Sequence, residues 1–170
     1  NFSLGFGTGM KFDKFIEKVG DEVGNVGVGV FGIAVNRPQN AISINRNNVG
    51  FYTDINYSPF ESLLIGVSGR YDKYSDVGDL VAYKGNARYG LFENKIMFRG
   101  SYSVGFKAPS LHQSYYSSYS ATNTNGKLTN ISGLINHDYQ TFRKMGIGST
   151  KAEKTEGISG GIVINPDDYF

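Results

Sequence analysis

The run KIMFRGSYSVGFKAPS, residues 95–110, decides the fold. Ile96, Phe98, Tyr102, Val104 and Phe106 share one parity, and Arg99, Ser101, Ser103 and Lys107 share the other. Successive side chains on a strand point to opposite faces. The run is therefore a strand with one apolar face and one cationic face. It is about as long as a tilted strand needs to cross a bilayer, roughly 9–11 residues. Pro109 ends the ladder because it has no N–H to donate.

The same alternation repeats along the chain. A first strand at about 2–13 sets Phe2, Leu4, Phe6, Thr8, Met10 and Phe12 against Ser3, Gly5, Gly7, Gly9, Lys11 and Asp13. A second at about 48–58 sets Val49, Phe51, Thr53, Ile55 and Tyr57 against Gly50, Tyr52, Asp54 and Asn56. A third at about 63–73 sets Ile65, Val67, Gly69 and Tyr71 against Gly66, Ser68, Arg70 and Asp72. A fourth at about 80–90 sets Val81, Tyr83, Ala87 and Tyr89 against Lys84, Asn86 and Arg88. The strand at about 155–165 is less regular: Ile158, Ile162 and Ile164 agree, and Val163 dissents. Asn165–Asp168 then turns into a seventh strand.

Connection lengths alternate as well. Turns are expected at Ser58–Glu61, with Pro59 in second position, at Leu91–Asn94 and at 166–168. The connections at 15–46, 73–79 and 108–152 are longer. Membrane barrels have short turns on one side and long loops on the other. Tyr57, Phe60, Tyr89 and Phe92 fall at the short-turn ends, and Tyr71, Tyr74, Tyr83 and Phe106 toward the other ends. That is the double aromatic girdle of a barrel spanning two interfaces. Within 108–152, Ser114–Thr129 reads as a polar loop tip. Asp138–Met145 reads as a short helix, capped by Asn136 or His137, with Arg143 and Lys144 in its last turn and Gly146 just beyond.

Three stretches carry a resemblance. GSYSVGFKAPSL, 100–111, resembles the "SYs-x-GFRAPSL" run in the barrels of TonB-dependent outer-membrane receptors. GVSGRYDKYSDVGD, 66–79, is similar to that family's "l-x-GGRYDxYSDFGd" hairpin. GIGSTKAEKTEGISGGIVINPDDYF, 146–170, resembles "GI-x-x-LKPEKS-x-x-x-x-LGF-x-x-xP-x-D-x-F". Lys107 stands for the usual Arg and Ala152 for the usual Pro. The likeness covers residues 46–170 closely and 1–45 by pattern. It implies the later part of a barrel of about 22 strands closed around an N-terminal plug. It also implies binding of a scarce nutrient, such as a ferric siderophore or cobalamin, imported with energy passed through TonB.

The totals exclude several classes. A net charge of +2 does not argue for nucleic acid. The absence of Cys excludes a disulfide framework, thiol catalysis and Cys-ligated metal. No apolar stretch of about 18 residues exists to form a membrane helix. Residues 1–20 show no signal-peptide pattern, and both ends read as cut within a pattern. Phe170 is not the terminal aromatic signal of an outer-membrane barrel, because Asp168 and Pro166 hold the preceding alternate positions.

Apparent catalytic motifs lack their context. Gly157-Ile-Ser159-Gly-Gly161 matches a nucleophile elbow, but Ile162-Val163-Ile164 continues a strand where a helix is required. Gly27, Gly29 and Gly32 match G-x-G-x-x-G before a β-branched run, a poor phosphate-binding helix. His112 and His137 stand in no ligand spacing and read as surface or packing residues. No catalytic residue, metal site or cofactor is expected.

The polar parity is the candidate site. Lys11, Asp54, Arg70, Asp72, Lys84, Arg88, Arg99 and Lys107 would face a lumen. Buried charges first demand partners, so the deep residues Lys84, Arg88 and Arg99 are expected as lumen wall; the resemblance implies that such charges dock the plug. Arg70, Asp72 and Lys107, nearer the outer end, are ligand-binding candidates for an anionic chelate. His112 joins them. Tyr115, Tyr116 and Tyr119 stack on a ligand or pack against a neighbouring loop, two readings the sequence leaves equal.

The expectation is an all-β, antiparallel transmembrane barrel segment of about six to seven strands, residues 1–170, with the plug domain outside this chain. It places the protein in the outer membrane of a Gram-negative bacterium. Its partners would be lipid, the plug domain, TonB and a small nutrient, with no nucleic acid and no enzymatic turnover. The alternatives are a small self-contained barrel acting as adhesin or pore, and a soluble β-rich binding module.

Overall fold

The computed structural model describes residues 1–21, 36, 38–124, 127–134 and 144–165, with the backbone alone at 39, 119–124 and 127–134. It contains β1 (Phe2–Glu17), β2 (Ile42–Phe60), β3 (Leu63–Tyr74), β4 (Gly78–Leu91), β5 (Ile96–Lys107), α1 (Leu111–Tyr115), β6 (Ser118–Thr124), β7 (Lys127–Leu134) and β8 (Glu153–Ile164). A 3-10 turn covers Pro38–Asn40. The chain forms two compact units: Asn1–Lys11 with Asn47–Ala108 and Ala152–Phe170, and Phe12–Arg46 with Pro109–Lys151.

The main sheet has six strands in the order β1-β2-β3-β4-β5-β8 and is antiparallel. It is not closed: β1 and β8 are its edges. Register carries the apolar parity across in rows. Tyr57 faces Ile65, Ile65 faces Ala87, Ala87 faces Gly100 and Gly100 faces Gly160. The next row runs Ile55, Val67, Gly85, Tyr102, Ile158. Pairing preserves parity, so the apolar rows of β2–β5 and β8 fall on one face, which carries charge only toward one end, at Lys73 opposite Asp79 and at Lys154 bonded to Glu156. Ile162 lies opposite Phe98 and Ile164 opposite Ile96. Val163 lies opposite Met97, which puts both on the polar parity at the end of the strand pair.

That apolar face is uncovered. Phe6, Phe12, Val67, Val81, Ile158 and Ile162 are exposed, and Val104 is the one buried hydrophobic residue among those described. A soluble sheet with one wet face packs the other on a core. This sheet leaves its apolar face open, as a lipid-facing wall does.

Five expectations shift. β1 and β2 run past their expected ends to Glu17 and from Ile42. The first turn sits at Glu61–Ser62, and Pro59 lies within β2 at a register irregularity, where a missing N–H costs no ladder bond. The connection expected at 73–79 is a tight turn at 75–77, closed by Gly78 at φ +90°. Ser114–Thr129, expected as a loop tip, holds the end of α1 and much of the β6–β7 hairpin. Tyr74 shares the polar parity, opposite Asn48, and does not join the outer girdle. The expected helix at 138–145 lies outside the described residues at 138–143, as do the seventh strand and the glycines at 27, 29 and 32.

Candidate functional site

In the first unit the site centres on Asp72. Arg70 and Asp72 are two residues apart on β3 and therefore share a face. Arg70 Nε donates to Asp72 Oδ2 at 2.5 Å, and Nη2 donates to Oδ1 at 2.9 Å. Asn48 Nδ2 donates a third bond to Oδ1 at 3.1 Å. Asp72 is 1% exposed, whereas the Arg70 side chain remains 54% exposed. Gly50 lies opposite Asp72, and a Cβ there would run into the carboxylate; glycine makes the room. Of the candidate ligand contacts, Arg70 and Asp72 are thus brought together as a forked pair with each other. Lys107 is exposed on the same parity, opposite Glu153.

Lower on the polar face, Lys84, Arg88 and Arg99 line one concavity of about 450 Å³ with Asn86, Ser101 and Ser159. Arg88 lies directly opposite Arg99. Ser159, the central residue of the apparent nucleophile motif, is in mid-strand and exchanges a 2.8 Å hydrogen bond with Ser101 Oγ. There is no strand-to-helix elbow around it.

In the second unit, α1 is built by a signal the sequence reading passed over. Ser110-x-x-Gln113 is a capping box: Ser110 Oγ accepts from Gln113 N at 3.1 Å, and Gln113 Oε1 accepts from Ser110 N at 2.9 Å. Arg46 Nη1 donates to Pro109 O at 2.7 Å. Asn40, 2% exposed, donates to Ser117 O at 2.8 Å and to its Oγ at 3.0 Å. His112 stacks on Tyr116 at 4.5 Å and meets Phe15 edge-on at 6.0 Å. Tyr115 ends α1, and Tyr119 falls in β6, where the backbone alone is described. His137 lies outside the described residues. Among those described, no group of His, Asp and Glu could hold a metal ion.

An open antiparallel sheet with one uncovered apolar face and one charged, hydrogen-bonded face is a wall segment of a transmembrane β-barrel. The model of the TonB-dependent receptor-like β-barrel family matches residues 1–170. The chain belongs to that family and forms part of such a receptor's β-barrel in the outer membrane. The crystal structure of the siderophore receptor PirA from Acinetobacter baumannii is similar, with a TM-score of 0.64 and 18% identity. The likeness covers 98% of this chain and 22% of that one, so the chain spans about a fifth of that receptor's length. No curated protein matches the chain.

Proposed function

We propose that the full-length protein is an outer-membrane receptor for TonB-dependent uptake of a scarce nutrient, a ferric siderophore or cobalamin. The observation that carries this reading is the family match over the whole chain, joined to a sheet whose two faces suit lipid and lumen. Residues 1–170 then form part of the barrel. A plug domain of the same polypeptide and TonB are the further partners, and the nutrient is moved without chemical turnover. Ligand contacts are assigned to Arg70, whose guanidinium keeps an exposed edge beyond its bond to Asp72, and to Lys107. Asp72 holds Arg70 in place. His112, Tyr115, Tyr116 and Tyr119 contribute aromatic surface from the α1–β6 segment.

Deletion of Ser118–Leu134, the β6–β7 hairpin, from the full-length receptor tests this. Uptake and ligand affinity should fall while the barrel still assembles, as judged by heat-modifiable mobility on a gel. Ligand affinity unchanged by that deletion would reject the assignment.

A further inference from the structure

The polar groups on the apolar face of the main sheet are not scattered. The row Ile55, Val67, Gly85, Tyr102 and Ile158 crosses that face from β2 to β8. Beyond it lies the end where the long connections leave β1 and β5, the outer end of a membrane barrel. In that direction the first charged or carboxamide side chain of the same parity is Asn47 on β2, Lys73 on β3, Asp79 on β4 and Glu156 on β8. On β5, Val104 and Phe106 stay apolar to the end of the strand. Asn47 is eight residues beyond Ile55, whereas Glu156 is two beyond Ile158. The polar boundary therefore descends six residues over the four steps from β2 to β8. At about 3.3 Å per residue and about 4.8 Å between strands, that is about 20 Å along the strands for about 19 Å across them. The boundary thus runs at about 45° to the hydrogen-bonded rows. Barrel strands tilt by about 35–45° in a membrane. A level bilayer surface must cut their rows at that same angle.

The side chains on this line suit a headgroup layer. Tyr71 Oη donates to Asp79 Oδ1 at 2.8 Å. Lys154, the next residue of that parity beyond Glu156, donates to Glu156 Oε1 at 2.9 Å. Lys73 lies opposite Asp79, but the Asp79 carboxylate bonds Tyr71. The exposed Lys73 ammonium has no bonded partner among the described residues. A lysine at the rim of an apolar face lays its stem on that face and its charge among anionic headgroups.

We infer that the outer surface of the bilayer crosses the sheet along Asn47, Lys73, Asp79 and Glu156, and that Lys73 binds the phosphate of an outer-leaflet lipid there. The inference rests on the barrel's place in the outer membrane and not on what the receptor imports.

The full-length receptor in vesicles of phosphatidylcholine and phosphatidylglycerol tests both parts, with heat-modifiable mobility confirming that each variant is folded. For the line, Val49→Cys, Ile55→Cys and Ile158→Cys each carry a fluorophore, quenched by lipids spin-labelled at graded depths. Ile55 and Ile158 share a row, but Ile158 and Val49 each stand two residues inside the line. Val49 and Ile158 should report the same shallow depth, and Ile55 a depth greater by roughly 14 Å. Equal depth at Ile55 and Ile158 would overturn the line. For the lipid contact, electron spin resonance compares the motionally restricted share of spin-labelled phosphatidylglycerol with that of phosphatidylcholine. Lys73→Gln should lower the preference for the anionic lipid, and Lys84→Gln, on the polar face, should not. A preference unchanged by Lys73→Gln, or lowered as much by Lys84→Gln, would overturn the contact.

Discussion

At the scale of single residues, parity makes neighbours behave oppositely. Gly100 lies on the apolar face between Ala87 and Gly160, whereas Ser101 lies on the polar face and bonds Ser159. An arginine on the lipid face near the bilayer midplane costs about 2–4 kcal/mol. Ser101→Arg gives up one exposed hydrogen bond, about 1 kcal/mol, and adds repulsion from Arg99. In the intact receptor, Gly100→Arg should therefore impair assembly far more than Ser101→Arg, read by heat-modifiability. Equal tolerance would mean that the faces are assigned the wrong way round. Asp72 offers a second asymmetry. Arg70→Ala strands a buried carboxylate with Asn48 as its remaining side-chain partner, whereas Asp72→Ala leaves an arginine that water already reaches. Removing one partner costs most when the other is buried. Arg70→Ala should lower the urea midpoint of the folded receptor more than Asp72→Ala; the reverse order would show that Asp72 is not the dependent partner.

At the scale of elements, the strands and the turn at Leu91–Asn94 were legible, and the content of the longer connections was not. Alternation from Phe2 to Phe12, or from Ile96 to Phe106, has a period of two whatever the tertiary context, so it can be read directly. The bond between Arg70 and Asp72 does not follow from the pattern, because a period of two places both on one face of β3 without fixing which partner each side chain takes. α1 went unread although Ser110 and Gln113 stand in capping-box spacing. A helix of five residues shows no 3.6-residue periodicity, which left the cap as its one signal. Ser110→Ala should then cost about 1 kcal/mol locally. It should raise proteolytic cleavage within Leu111–Tyr116 without moving the melting of the barrel; unchanged cleavage would show that the cap does not hold this segment. The turn after β4 makes a different demand. Phe92, Glu93 and Asn94 have φ of 53°, 56° and 68°, a left-handed run that costs a residue with a Cβ roughly 1–2 kcal/mol. Glu93→Gly should be neutral or stabilising there and Glu93→Val destabilising, by comparison of thermal midpoints. Equal loss in both would place the cost in the Glu93 side chain and not in its backbone.

At the scale of the molecule, the two faces of the sheet impose opposite requirements on the surroundings. The apolar face runs unbroken from Phe2, Leu4 and Phe6 on β1 to Ile158, Ile162 and Ile164 on β8, and nothing among the described residues of the sheet covers it. Exposed apolar patches beyond a few hundred Å² are rare on soluble monomers. The edges β1 and β8 add a second liability. An unpaired strand edge presents free N–H and C=O groups that other chains can pair with in water and that nothing satisfies in lipid. Residues 1–170 on their own should therefore aggregate in plain buffer, and detergent should relieve the apolar face without relieving the edges. Size-exclusion chromatography separates these two causes. Detergent alone should give a heterogeneous profile, whereas the same segment within the full-length receptor should elute as one species. A sharp monomer peak of residues 1–170 in plain buffer, with cooperative melting, would contradict a lipid-facing sheet. It would require the apolar rows to be buried by some rearrangement of the strands.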